Sequence, residues 1–278
     1  MTNLNPQRDQ MADESMVRNL EAQANAIWPQ EAPLYRRYQL PADIDILDAG
    51  CGTGEGASRI AELYPQSRVV GVDVLDHHLE LARQRYAKLS PRLSFEHQSI
   101  YELAFKDASF DLTACRHVLH SIPRPDQVVT ELKRVTRPGG WLHLIPEDYG
   151  MLHFQKMGAV DPDEFWYEVP KEFGKKTDTD LYIGRDIVPI LEAQGFEEIA
   201  MDYLVVDTLR VPRKVFAGII TAWRDGYAEI SSEYSRFSVK ETTAYFNRMI
   251  ENILDPKGYA VWMVPVVGAR VPRGTGWA

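Results

Sequence analysis

The sequence predicts an α/β fold, with a mostly parallel β-sheet of seven strands and helices on both faces. Three observations lead to this prediction. Segments with a strand pattern alternate with amphipathic helical segments, as in parallel sheets with right-handed crossovers. The first strand runs into a glycine turn of the form Asp-x-Gly-x-Gly-x-Gly over 48–54. Of the 278 residues, 45% are hydrophobic and 26% charged, which provides a large core without any need for disulfides.

The first elements lead into the glycine turn. Apolar residues recur at helical spacing from Glu14 to near Trp28, and a second short helix is predicted over 32–38. An apolar run from Ile44 to Asp48 is the first strand. The glycines after Asp48 then form a tight turn, because glycine adopts φ > 0 without steric penalty and lets a ligand approach the backbone.

Alternating helices and strands follow the turn. A helical pattern covers 55–63, and the β-branched run 68–73 is the second strand. A helix over 76–89 leads to a third strand at 93–97, and 110–115 is the fourth strand. The order strand, helix, strand is that of a parallel sheet.

The second half of the chain continues the pattern with two interruptions. Pro125 suits a first helical position, and the helix that it opens is predicted to end at Pro138-Gly139-Gly140. Three further strands are predicted at 141–145, 198–206 and 259–267. A helix at 184–194 precedes the second of these strands, and two helices at 213–230 and 239–253 precede the last. The segments 147–182 and 207–257 exceed ordinary connections, and we interpret them as insertions.

Composition restricts the compartment and the partners. The cysteines, Cys51 and Cys115, lack metal-type spacing and fit a reducing compartment. The polar stretch 1–14 is not a secretory signal, and no stretch approaches the length of a membrane span. We therefore predict a cytoplasmic protein without a membrane partner. The net charge of −9 and basic clusters no longer than pairs make nucleic acid an unlikely partner.

Asp73 is the first candidate for ligand binding. It lies 19 residues beyond Gly54, at the end of the second strand. A carboxylate about 20 residues after a glycine-rich turn is expected to accept the ribose hydroxyls of an adenosine. The alternative is an ordinary exposed acid at a strand end. The glycine spacing differs by one residue from the dinucleotide fingerprint, which makes a nicotinamide-dependent dehydrogenase the least favoured interpretation.

Four segments together resemble the class I S-adenosylmethionine (SAM) dependent methyltransferases over about residues 44–146. The matching segments are Leu47–Gly54, Val70–Asp73, Phe110–Leu112 and Arg134–Gly140. The resemblance implies an enzyme with SAM as cofactor and a seven-stranded sheet whose last strand is antiparallel. SAM would then lie across the carboxyl ends of the strands. It also implies an N-terminal helical cover over 1–40 and a class I methyltransferase domain over 41–278 with insertions at 147–182 and 207–257. The alternative for the N-terminal helix, compatible with a cover, is packing at the edge of the domain.

The resemblance carries over to several residues on the methionine side of SAM. Gly50, Cys51 and Gly52 would pass beneath the methionine part. Asp48 would help to hold the ammonium group, directly or through water. Arg116, just after the fourth strand, would lie near the methionine carboxylate or the ribose.

On the adenosine side, the resemblance implies Asp73 for the ribose and Val74 for the adenine ring. Many relatives have Gly-Asp where this chain has Gln98-Ser99, and that aspartate contacts the adenine amino group. Here Ser99 offers a neutral, weaker acceptor, with Ile100 beside it. Ser99 and Ile100 are therefore the predicted adenine contacts.

Methyl transfer needs little from a protein beyond alignment of the reacting atoms, and a base helps only where the nucleophile must lose a proton. Candidate side chains at the strand ends are His117, His120, Glu147, Asp148 and Tyr149. Among them, His120 and Tyr149 are the predicted catalytic residues. The His117/His120 spacing is compatible with a metal, but a histidine pair without an obvious third ligand seldom makes a site, and we predict no metal.

The acceptor is predicted to be a small molecule. Aromatic residues in the two insertions could wall an apolar pocket, or they could be ordinary packing under long loops. A protein or RNA methyltransferase, and a SAM-binding protein without methyl transfer, remain the alternatives. The same helices could also form a homodimer interface.

Overall fold

The computed structural model describes residues 4–156 and 161–273, and predictions that fall on 1–3, 157–160 and 274–278 lie outside it. The sheet has eight strands: β1 (Asp45–Ala49), β2 (Arg68–Asp73), β3 (Leu93–His97), β4 (Phe110–Arg116), β5 (Thr136–Ile145), β6 (Leu152–Phe154), β7 (Glu197–Asp207) and β8 (Ala260–Arg270). Their order is β3-β2-β1-β4-β5-β8-β6, and β7 pairs with the other edge of β8.

The predicted fold class is confirmed. Strands β1 to β5 pair in parallel, and the last strand, β8, is antiparallel to each of its neighbours. The predicted number of seven strands is wrong by one, because β6 was not predicted. β5 pairs only with residues 267–270 of β8, and β6 pairs with residues 260–262 of β8, farther along the same edge. Three residues are too few for a strand pattern to be recognised in a sequence.

Nine α-helices accompany the sheet in the described residues: α1 (Arg8–Ala12), α2 (Glu14–Glu31), α3 (Glu55–Leu63), α4 (Asp76–Arg85), α5 (Pro125–Val135), α6 (Pro162–Thr177), α7 (Ile187–Ala193), α8 (Arg213–Tyr234) and α9 (Val239–Leu254). α5 ends three residues before the predicted Pro138. Thr136 already belongs to β5, where its hydroxyl contacts the Leu132 carbonyl and the Thr113 hydroxyl, each at 2.7 Å.

The core lies on both faces of the sheet. Neighbouring residues of β1 point to opposite sides, so that Ile46 packs in one cluster and Leu47 in another. A third cluster joins the helices of both ends of the chain to the antiparallel strands, with Ile27, Phe216 and Trp262 among its fully buried members. This third cluster fixes the helical layer above the carboxyl ends of the strands.

A fully buried carboxylate anchors α2 to the sheet. Glu31 accepts hydrogen bonds from Arg116 at 2.6 and 2.7 Å and contacts His143 at 3.1 Å and the Tyr35 hydroxyl at 3.2 Å. Burial raises the pKa of Glu31, but Arg116 and His143 outweigh it and hold the pKa well below its usual range. These contacts explain why α2 continues past Pro29 to Glu31, beyond the predicted end near Trp28.

We predict that Glu31→Ala destabilises the protein by about 3–5 kcal/mol, because Arg116 would remain buried without its partner. The free energy of unfolding in urea measures this loss. The matched control is Glu14→Ala, whose ion pair with Arg18 is exposed and should change stability by less than about 1 kcal/mol. Equal effects of the two substitutions would refute the anchoring role of Glu31.

Candidate active site

The glycine turn connects β1 to α3 at the carboxyl edge of the sheet. Gly50, Gly52 and Gly54 all have positive φ, at 75°, 52° and 82°. The Gly50 and Cys51 amides both donate to the Val72 carbonyl, at 2.8 and 2.9 Å. A Cβ at position 50 would collide with Val118, so both the backbone conformation and the available space require glycine there.

Asp73 stabilises this turn from the end of β2. Its carboxylate accepts hydrogen bonds from the Gly52 amide at 2.8 Å and from the Leu75 amide at 3.0 Å. A carboxylate has about four lone-pair sites, so capacity remains for a ligand. Asp73 therefore couples the shape of the glycine turn to any contact with a bound hydroxyl.

A cavity of about 220 Å³, the glycine-turn cavity, lies beside the turn and Asp73. Seven of the predicted cofactor-binding residues line it: Gly50, Gly52, Asp73, Val74, Ser99, Ile100 and Arg116. The N-terminal residues Arg8, Met11 and Leu20 also line it. In contrast, Tyr35 and Tyr38 stack on His143 and Trp141 of β5 and do not line this cavity.

Asp48 and Cys51 lie outside the lining of the glycine-turn cavity. The Cys51 side chain is buried in the core cluster on the other side of the turn. Asp48 is also buried, and burial raises its pKa to about 6, an effect that the Arg116 guanidinium opposes. Their assigned contacts with SAM remain predictions.

Arg116 lines the cavity but is oriented by Glu31. Its Nε and Nη2 donate to the two carboxylate oxygens of Glu31. Its Nη1 occupies space that a side chain at position 56 would fill, which explains the glycine there. No sequence pattern indicates this partner, because Glu31 lies 85 residues earlier on a helix with an ordinary amphipathic pattern.

A second cavity of about 50 Å³, the aromatic cavity, contains both predicted catalytic residues. Its described lining includes His120, Tyr149 and aromatic side chains of both insertions: Phe165, Trp166, Phe173, Trp223, Tyr227 and Phe246. No Asp, Glu, Lys or Arg occurs in that described lining. The His120 and Tyr149 rings are 5.6 Å apart, and Tyr149 stacks on Trp166 at 5.6 Å.

Burial controls the protonation of His120 and Tyr149. It lowers the pKa of His120 to about 4 and raises the pKa of Tyr149 well above its usual range. At neutral pH His120 is therefore neutral and Tyr149 keeps its proton. His120 Nδ1 is buried and has no hydrogen-bond partner among the described residues. Both side chains suit the orientation of a ligand better than proton abstraction.

Sequence comparisons identify the central part of the chain. Residues 46–140 match the family described as methyltransferase domain. The methyltransferase GfsG of Streptomyces halstedii is 38% identical over 112 residues, 39% of this chain and 40% of that protein. The demethylmenaquinone methyltransferase of Deinococcus radiodurans is 35% identical over 100 residues, 36% of this chain and 42% of that protein. The chain thus aligns with less than half the length of these relatives.

Residues 46–140 of the chain thus resemble a methyltransferase domain, in agreement with the predicted class I SAM-dependent family. Solved structures share its fold. The [4+2]-cyclase SpnF has a TM-score of 0.55 at 22% identity, covering 88% of this chain and 82% of that one. A putative methyltransferase from Bacillus halodurans has a TM-score of 0.55 at 20% identity, covering 88% and 99%.

SAM is the predicted cofactor, and the residues of the glycine-turn cavity fit it. Asp73 has lone pairs for hydroxyl groups, while Val74 and Ile100 offer apolar surface for a base. The cavity volume of about 220 Å³ is below the roughly 300–1,000 Å³ typical of small-molecule sites.

His117 and Glu147 contact each other in the structure, which the sequence does not predict. His117 Nδ1 contacts Glu147 Oε1 in a short hydrogen bond. Both residues are candidates because they follow strands, but no sequence pattern predicts their contact across β4 and β5.

The described residues contain no group of three or more His, Cys, Asp or Glu side chains placed to hold a metal ion. None of the described helices is long and apolar enough to cross a membrane.

We predict that Asp73→Ala weakens SAM binding by about 2 kcal/mol, roughly 30-fold, because it removes charge-assisted hydrogen bonds and loosens the turn. Calorimetric titration of SAM measures the dissociation constant. Asp43→Ala, an exposed acid at the opposite end of β1, is the matched control and should leave it unchanged. An unaltered dissociation constant in folded Asp73→Ala protein would rule out Asp73 as a ligand to SAM.

Proposed function

We propose that this protein transfers the methyl group of SAM to a small, largely apolar acceptor molecule. The observation that carries the proposal is the aromatic cavity beside the methyltransferase domain. Its described lining has aromatic rings and no ionised side chain, which favours a neutral acceptor over a charged polymer.

The two insertions supply most of this cavity. Tyr149, Phe165 and Trp166 come from 147–182, and Trp223 comes from 207–257. The shared turn 117–122 contributes to both cavities, His117 to the glycine-turn cavity and His120 to the aromatic cavity. This arrangement supports acceptor recognition by the insertions next to the cofactor.

The N-terminal segment supports the same proposal. Arg8 and Met11 line the glycine-turn cavity, while Gln7 lines the aromatic cavity and accepts a hydrogen bond from Tyr227 at 2.8 Å. We propose that 1–40 is a cover that closes over cofactor and acceptor together and excludes water from the reaction.

The names of relatives agree with a small-molecule acceptor. Demethylmenaquinone methyltransferase and 27-O-demethylrifamycin SV methyltransferase are named for small molecules, and each aligns over less than half of its length. The net charge of −9 disfavours RNA. SpnF shares this fold and is described as a cyclase. The fold alone therefore does not distinguish an enzyme that transfers the methyl group from a protein that binds SAM without transferring it.

The roles of individual residues follow from their positions. SAM, when bound, supplies an activated methyl group on a sulfonium. The chain has to hold the acceptor in line with that group, since alignment is the main contribution that such a reaction requires. Asp73 binds and orients the adenosine, the Glu31–Arg116 pair fixes one wall, and the Trp166 and Trp223 rings position the acceptor in a dry cavity.

We predict that Trp166→Leu and Trp223→Leu lower kcat/KM for the acceptor by at least about tenfold, because each removes an aromatic wall worth more than 1.4 kcal/mol. The affinity for SAM by calorimetry should stay the same. Tyr167→Leu is the matched control, since that ring is 73% exposed.

The competing interpretation assigns the same helices to a homodimer interface. In that case the tryptophan variants would keep normal turnover and shift the molecular mass in light scattering from dimer to monomer. That combination would contradict the proposed acceptor site.

A further inference from the structure

His117 and Glu147 form a buried pair at the carboxyl ends of β4 and β5. His117 Nδ1 contacts Glu147 Oε1, and the His117 side chain is only 11% exposed. Glu147 is fully buried, and its Oε2 has no hydrogen-bond partner among the described residues. Ordinary packing does not require a buried carboxylate with one oxygen unpaired, because such a group costs free energy.

The backbone is strained at both members of the pair. His117 has φ +58° and Glu147 has φ +65°, in the left-handed region that residues other than glycine seldom adopt. Two hydrogen bonds hold this conformation: the His117 amide donates to Ile145 at 2.9 Å, and the Gly184 amide donates to Glu147 at 2.7 Å. Strain of this kind concentrates at functional sites.

The pair lies between the two cavities. His117 lines the glycine-turn cavity, and its ring centroid is 6.4 Å from that of Trp262, which in turn is 5.3 Å from Trp223 of the aromatic cavity. The charge of Glu147 acts on both His120 and Tyr149, which line the aromatic cavity. Under the proposed function, this boundary is where the methyl group and the acceptor would meet.

We propose that His117 is the general base of the methyl transfer, that Glu147 is its positioning residue, and that the acceptor atom is a hydroxyl oxygen. This proposal rests on the proposed function. The Nδ1–H of His117 donates to the Glu147 carboxylate, which fixes the ring so that the lone pair of Nε2 is free. The contact with Glu147 is made through Nδ1 and does not engage Nε2.

The reaction balances with these groups. Nε2 takes the hydroxyl proton, and the electron pair of the broken O–H bond becomes the pair that forms the new O–CH₃ bond. The electron pair of the broken methyl–sulfur bond stays on sulfur, which becomes a neutral thioether. The proton on His117 then passes to solvent after the products leave.

A hydroxyl is the acceptor that this arrangement serves best. A phenolic hydroxyl ionises near pH 10 and a thiol near pH 8.5, so the hydroxyl gains far more from a base at neutral pH. A positioned base accelerates such a step by about 10²–10⁴. An aliphatic amine would enter as an ammonium ion, and no carboxylate of the described lining of the aromatic cavity is available to hold it.

The first test measures the tautomer of His117 in the protein without ligands. Nitrogen-15 NMR of histidine-labelled protein, assigned with His117→Asn and recorded over a range of pH, should show that the ring, once neutral, carries its proton on Nδ1 and none on Nε2. Asparagine suits this variant because it tolerates the left-handed backbone. Glu147→Ala should move the proton toward Nε2. A wild-type ring protonated on Nε2, or one unaffected by Glu147→Ala, would overturn the proposal.

The second test measures transfer from labelled SAM to phenol, 4-nitrophenol, thiophenol and aniline. We expect phenol methylation, with kcat about 100-fold lower in His117→Asn and unchanged in the exposed control His77→Asn. When the assay pH lies well above the pKa of 4-nitrophenol, the loss should nearly vanish for that acceptor, because it is then largely ionised. Glu147→Asp should recover part of the activity that Glu147→Ala loses.

The outcomes separate the two proposals. Equal losses for phenol and 4-nitrophenol would show that His117 is structural and would overturn its role as base. Transfer only to aniline or thiophenol, or to no member of the series in a protein that binds SAM, would overturn the hydroxyl assignment. A protein that fails to bind SAM in calorimetry would instead contradict the proposed function itself.

Discussion

The buried ion pair of Glu31 and Arg116 is the interaction on which the site depends. It joins α2 to the carboxyl end of β4, with both side chains almost entirely removed from water. Desolvation of two charges is costly, and such a pair is favourable only when further hydrogen bonds satisfy it. His143 and Tyr35 supply these bonds to Glu31. The N-terminal helix is thus attached to the catalytic edge of the sheet at one defined point.

The attachment sets the shape of the glycine-turn cavity. Because Glu31 fixes the C-terminal end of α2, Leu20 on the same helix is brought against Gly52, where an added Cβ would meet it at 3.0 Å. The guanidinium of Arg116 also acts on Asp48, on the opposite side from Glu31. Two carboxylates share one cation here, so a bound ammonium group near Asp48 would favour its ionised form.

Local features of the fold were predictable from the sequence, and contacts between distant elements were not. The glycine turn, Asp73 and the strand ends follow from short-range patterns that a tight turn and a parallel sheet impose. The Glu31–Arg116 pair and the His117–Glu147 pair join residues from separate elements, so no local pattern reports them. Cys51 is predicted to pass beneath the methionine part of SAM, and its side chain is buried in the core, so that only its backbone is available for such a contact. Adjacent turn residues point in different directions, and spacing alone does not show which one faces a ligand.

Amide hydrogen exchange of the full chain, with and without S-adenosylhomocysteine, is the most direct test of the proposed cofactor site and its N-terminal cover. We expect the ligand to slow exchange in four segments: the glycine turn 50–54, the segments 73–75 and 98–101 at the ends of β2 and β3, and the N-terminal segment 4–20. Protection of the glycine turn with no protection of the N-terminal segment would contradict the proposed cover. No protection at the glycine turn, or protection confined to another part of the chain, would contradict the assignment of the cofactor site.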